Sequence, residues 1–152
     1  MKEHTLRNSI LLAIGVSLLA GTASAQVGPY QFFAINPCRV VDTRNANSTN
    51  GGPALGPNAF RNFAIKGNCG VPTTAKAVSL NVTVANPTAV SWFTIWPSGS
   101  SQPVVSTINF TQNDPALANG AIVGVSANSA DLSVYNANGT AHVIIDVNGY
   151  FQ

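Results

Sequence analysis

Along residues 77–85 apolar and polar side chains alternate, with Val78, Leu80, Val82 and Val84 separated by Ser79, Asn81 and Thr83. A period of two sends successive side chains to opposite faces, so this stretch predicts a strand with one buried face. Shorter runs of the same kind occupy 31–35, 39–43, 60–65, 92–96, 104–110, 121–125, 132–135 and 142–147, which makes about nine strands. Turn-forming pairs and triplets stand between them, among them Asn36-Pro37, Gly56-Pro57, Asn86-Pro87, Pro97-Ser98-Gly99 and Asn113-Asp114-Pro115. No stretch of residues 26–152 repeats apolar residues at helical spacing. Short connections between short strands predict an all-β fold, an antiparallel β-sandwich of jelly-roll-like character with no substantial helix.

Two connections carry more specific expectations. Asn138-Gly139 lies between 132–135 and 142–145, and Asn-Gly supplies the positive φ angles of a type I′ turn, which predicts that the last two strands pair as a hairpin. Residues 45–58 are mostly Asn, Ser, Gly and Pro, with little to bury, and read as a long surface loop. The apolar piece 30–35 pairs by default within its own domain, a neighbouring molecule being the alternative.

The amino terminus changes the compartment. Lys2 and Arg7 precede an apolar run of about ten residues, 10–19, and Ala23-Ser24-Ala25 matches a small-residue cleavage pattern. Residues 1–25 are therefore expected to be a signal peptide and 26–152 a single β-sandwich domain. A retained membrane anchor is the alternative, and it is disfavoured because a spanning helix needs roughly 20 apolar residues, whereas Gly15, Ser17, Gly21 and Thr22 interrupt this run.

Charge narrows the partners. Beyond the leader, Arg39, Arg44, Arg61, Lys66 and Lys76 face Asp42, Asp114, Asp131 and Asp146, so no basic patch for nucleic acid exists. A nearly neutral surface rich in Asn, Ser and Thr also lacks the repulsion that keeps copies apart. Cys38 and Cys69 are the only cysteines, and an even count in an exported chain reads as a disulfide, with two free thiols as the alternative.

With these landmarks placed, the chain resembles a family of small secreted all-β modules of actinobacterial and acidobacterial exported proteins. The resemblance rests on the segments 37–44 (PCRVVDTR), 67–72 (GNCGVP), 78–84 (VSLNVTV), 96–99 (WPSG) and 146–151 (DVNGYF) and covers nearly all of 26–152. It implies a cell-surface or extracellular accessory domain and sets no activity. One departure is 90–93, where Val90-Ser91-Trp92-Phe93 replaces the small, Gly-containing turn the family pattern leads one to expect.

Catalytic chemistry finds little material. His142 is the one histidine after the leader, and Asp146, four residues on along a strand, stands about 13 Å away, beyond the reach of a base-orienting hydrogen bond. No glutamate follows the leader, which leaves four aspartates for any paired-carboxylate reaction. Asp42 lies close to Arg39 and Arg44, so Arg39, Asp42, Arg44 and Asp146 are expected to form a structural charge network. Zinc lacks ligands; calcium could use only Asn113, Asp114 and carbonyls of the 111–115 turn. Asn-x-Ser/Thr triplets at Asn47, Asn81, Asn109 and Asn138 follow from composition.

What remains is binding. Trp92, Trp96, Tyr135 and Tyr150 are candidates for a ligand or partner platform, because aromatic faces stack on sugar rings while Asn and Gln bond hydroxyls. Core packing of the same rings is the alternative; if Phe93 and Ile95 are buried, alternation puts both tryptophans on an outer face. The expectation is a non-enzymatic secreted or cell-surface protein of structural or adhesive role, self-assembling as a homo-oligomer or fibre, with a carbohydrate-binding module of the cell envelope as the alternative. Its partners are then itself or surface glycans, with no nucleic acid, no membrane span after leader cleavage and no cofactor.

Overall fold

The computed structural model describes residues 28–127 and 130–152; the expected signal peptide, residues 1–25, lies outside the described residues. Among the described residues eight strands run in chain order: β1 (Phe32–Asp42), β2 (Ala59–Phe63), β3 (Ala77–Ala85), β4 (Ser91–Pro97), β5 (Ile108–Phe110), β6 (Ala116–Gly124), β7 (Leu132–Asn136) and β8 (His142–Phe151). They build two four-stranded antiparallel sheets, ordered β1-β8-β3-β6 and β2-β7-β4-β5. The all-β sandwich is as expected, with eight strands instead of nine. The runs 31–35 and 39–43 are one strand, because β1 absorbs Pro37 in a bulge between Ala34 and Cys38 and stays paired with β8 on both sides of it.

Alternation explains the core. Val78, Leu80, Val82 and Val84 of β3 meet Phe93 and Ile95 of β4, Leu132 and Val134 of β7, and Val143, Ile145 and Val147 of β8 in one buried cluster. At roughly 25 cal/mol per Å² of apolar surface removed from water, this layer supplies the main drive for folding. Cys38 and Cys69 form a disulfide with their Cα atoms 5.7 Å apart, tying β1 to the loop that follows β2.

Two sequence expectations fail for identifiable reasons. β7 and β8 do not form a hairpin: β7 is flanked by β2 and β4 in one sheet, β8 by β1 and β3 in the other. A type I′ turn needs positive φ at both central residues, and here only Gly139 has it, at 58°. Asn136, fully buried at the end of β7, takes over the connection. Its Nδ2 donates to the carbonyls of Gly139 (2.9 Å) and Gly56 (3.1 Å), while its Oδ1 accepts from Ser91 Oγ at 2.8 Å, and that hydroxyl in turn accepts from Asn138 N–H. The chain thus arches from one sheet to the other around a satisfied polar core.

Residues 45–58 are not a loose surface loop. Leu55 is buried and bridges Ala141. The Arg61 guanidinium donates to the carbonyls of Ser48, Gly51, Gly52 and Pro53, and Asn50 bonds both the N–H and the C=O of Ala64. One rigid donor fork thus binds four carbonyls of an irregular segment. Gly51 and Gly52 leave no room for a Cβ, which would collide with backbone oxygens of Ala46 and Asn45.

Candidate functional site

On the second sheet, burial of Phe93 and Ile95 turns Trp92, Thr94 and Trp96 to the outer face. Register places Tyr135 beside Thr94, Ser133 beside Trp96, and Asn109 beside Trp92. β2 adds Phe60 next to Tyr135 and Asn62 next to Ser133. Aromatic and amide side chains therefore share one surface across all four strands.

The β4–β5 connection, residues 98–107, makes this surface concave. The strand expected over 104–110 shrinks to its end: Val104 is fully exposed and only 108–110 pair with β4. The segment folds back over the sheet, held where Thr94 Oγ1 donates to Val105 C=O (2.6 Å), Thr107 Oγ1 accepts from Ile95 N–H (3.1 Å) and Trp96 Nε1 donates to Ser100 C=O (3.0 Å). The result is a cleft of about 610 Å³ with Trp92 and Tyr135 on the sheet side and Gln102, Val104 and Asn109 around its rim. That volume lies within the roughly 300–1,000 Å³ of small-ligand sites. A second cleft of about 340 Å³, between Phe60 and Trp96, adjoins it at Gln102, which lines both.

The four aromatic candidates are not brought together as one platform. Trp92, 39% exposed, presents ring surface to the cleft. Tyr135 stands beside it with its hydroxyl donating to Asn58 Oδ1 at 3.0 Å, which holds the ring in place. Trp96 is on the same face but only 6% exposed, tilted against Phe60 at 6.0 Å, so it floors the second cleft instead of projecting from it. Tyr150 belongs to the other sheet, where it stacks on Phe33 at 5.2 Å and packs against the core. Phe60, exposed on β2, was missed; its place in a short strand beside Arg61 gave no period-two signal of its face.

The charge network forms on the first sheet. Arg44 grips Asp42 with Nε and Nη2 at 2.8 and 2.7 Å, and its own N–H adds a third bond at 3.1 Å. Arg39 binds Asp146 at 2.8 Å and approaches Asp42 at 3.5 Å. The Arg44 side-chain bonds hold the buried Asp42 carboxyl down at about 2, against the opposing effect of its burial. A carboxyl depressed on folding stabilises the fold above its unfolded pKa, near 3.8, and that contribution is lost as pH falls from about 4 through 2. Both arginines are about half exposed, so solvent screening keeps the contribution small. In urea titrations at fixed pH, Arg44→Ala should be less stable than the wild type above pH 4 and should converge with it near pH 2; equal midpoints at pH 5 would exclude the network.

The remaining titratable candidates have structural partners. His142 Nδ1 lies 3.1 Å from Thr43 Oγ1, but Thr43 is fully buried and its oxygen also accepts from Val143 N–H, so no substrate reaches that hydroxyl. Asp114 caps its own turn, accepting from Thr111 N–H at 2.7 Å and Thr111 Oγ1 at 3.0 Å. A buried ion pair that the pattern of residues did not reveal joins Lys66 to Asp131 at 3.1 Å, with Asp131 also accepting from the N–H groups of Ile65 and Lys66.

The molecule is thus a disulfide-bonded antiparallel β-sandwich with an aromatic and amide-lined cleft on one outer face; among the described residues no helix is long and apolar enough to cross a membrane. No protein-family model and no curated protein matches the chain.

Proposed function

We propose that the protein is a non-enzymatic adhesive module of the bacterial exterior that holds a neutral glycan in the cleft between β4, β7 and the 98–107 loop. The observation that carries this reading is the cleft's chemistry: two aromatic rings, Trp92 and Tyr135, stand beside Gln102, Asn109, Thr94 and Ser106, with no carboxylate, ammonium, guanidinium or imidazole in the lining. Sugar rings offer apolar C–H faces for stacking and hydroxyls that both donate and accept, and a primary amide supplies both complements in one group. An acidic or basic ligand would lose its hydration there with no opposite charge in return. The disulfide and the signal-like leader support an extracellular place of action.

The test is retention on insoluble neutral polysaccharides together with a glycan array, comparing wild type with Trp92→Ala. Binding should weaken about tenfold or more in the variant, as expected for an anchoring tryptophan, while the melting temperature holds, because Trp92 lies outside the core. Affinity should also stay level between low and high salt, since no charge pair forms. Absence of binding to every neutral glycan, or undiminished affinity in Trp92→Ala, would overturn the proposal.

A further inference from the structure

Of the four sheet edges, three are blunted. β1 is bulged twice, contains Pro37 and carries the arginine–aspartate network; β2 has five residues, including Arg61; β5 has three. Bulges, charges and shortness are the devices that stop an edge from recruiting another strand. The fourth edge, β6, has none of them. It runs nine residues in unbroken register with β3, with neither a charged residue nor a proline.

The direction of its backbone groups follows from the ladder. Val125 N–H donates to Lys76 C=O at 2.9 Å and Asn86 N–H to Pro115 C=O at 3.2 Å, and both pairs continue the β3–β6 register. Hydrogen-bonded pairs alternate along an antiparallel ladder, so odd positions of β6 turn their N–H and C=O toward β3. Ala116, Ala118, Gly120, Ile122 and Gly124 turn theirs outward, away from the sheet. Five donors and five acceptors stand in a row on an exposed strand.

We propose that this edge pairs with β6 of a second copy of the same chain, antiparallel, about a two-fold axis through Gly120. That register sets Gly120 opposite Gly120 of the second copy, Ala118 opposite its Ile122 and Ala116 opposite its Gly124, and every outward N–H and C=O gains a partner. On the opposite face it sets Leu117 against Val123 of the second copy and Asn119 against its Ala121. The edge is complementary to itself: small residues flank the axis, the exposed Ile122 and Leu117 each meet an apolar partner, and no like charges face each other. A two-fold axis uses the same patch on both copies and closes the assembly at a dimer, whose two β1-β8-β3-β6 sheets become one of eight strands. The overall charge of +2 opposes this association little. Both clefts, on the other sheets, stay open, so a dimer presents two glycan sites.

Sedimentation equilibrium of the purified protein up to roughly millimolar concentration reads the result. A monomer–dimer equilibrium is expected. Gly120→Lys should raise the dimer dissociation constant about tenfold or more, because it sets two ammonium groups face to face on the axis. The monomer tolerates the change: a Cβ at Gly120 meets nothing within 4 Å, and its φ is not left-handed. Mixing Gly120→Lys with Gly120→Asp should restore a heterodimer. A strictly monomeric wild type, a dimer indifferent to Gly120→Lys, a mixture that does not restore association, or open-ended fibres would each overturn the inference. Gly120 lies outside the cleft, so these outcomes are independent of glycan binding.

Discussion

Asp131→Ala should lower the stability of the fold by about 3–5 kcal/mol, the usual cost of removing one partner of a buried ion pair. Asp131 is 2% exposed and sits just before β7, where one carboxylate oxygen accepts from Ile65 N–H at 2.6 Å and Lys66 N–H at 2.7 Å and the other faces Lys66 Nζ at 3.1 Å. Its own N–H donates to Phe63 C=O and its C=O accepts from Ser98 and Ser126. The residue therefore pins the exit of β2 to the entry of β7. Alanine would leave two amide donors without an acceptor and a largely buried ammonium with only the Ser126 carbonyl. Asp131→Asn keeps an acceptor for the amides and should cost roughly half as much. Lys66→Met should cost less than Asp131→Ala, because the carboxylate retains both N–H bonds. Urea midpoints at constant slope measure all three; an Asp131→Ala midpoint equal to the wild type's would refute the assignment.

Replacing both cysteines with serine should cost about 3.5 kcal/mol and lower the melting temperature by ten degrees or more, about what the closed-loop entropy predicts for a link spanning 31 residues. The enclosed segment explains why the effect is large. It contains the 45–58 loop and β2, whose order depends on Arg61 and Asn50 reaching back across a chain otherwise poor in apolar contacts. Without the crosslink the unfolded state regains that freedom, while the folded state still has to order the loop. Differential scanning calorimetry of the double variant, with the wild type under reducing conditions alongside, provides the measurement. A shift of under two degrees would mean that the disulfide adds nothing to folding.

The sandwich was legible where one face of a strand is buried and the other is not. β3 shows this best, since Val78, Leu80, Val82 and Val84 are all at most 1% exposed and alternate with polar residues. β6 was legible only at its end: as an edge strand over a shallow part of the core it has no deep face, and Ala116–Gly120 carry no alternating pattern. Val104 and Val105 misled in the opposite sense, apolar and β-branched yet raised off the sheet as the wall of the cleft. In the charge network, nearness in sequence exposed the Arg44–Asp42 pair, whereas nothing local links Lys66 to Asp131 across 65 residues.

Read alone, the order of residues determined that the chain forms antiparallel strands around one apolar layer, that its surface is nearly uncharged, and that Cys38 and Cys69 are available to each other. These are local or compositional properties, and period-two burial follows from backbone geometry whatever lies across the sheet. Tertiary structure alone decided which sheet receives β7 and β8, which aromatic rings meet at the cleft and which edge stays open. Each of those depends on how distant strands are ordered, and an arch and a hairpin can begin from the same Asn-Gly pair until Asn136 and Ser91 meet beneath it.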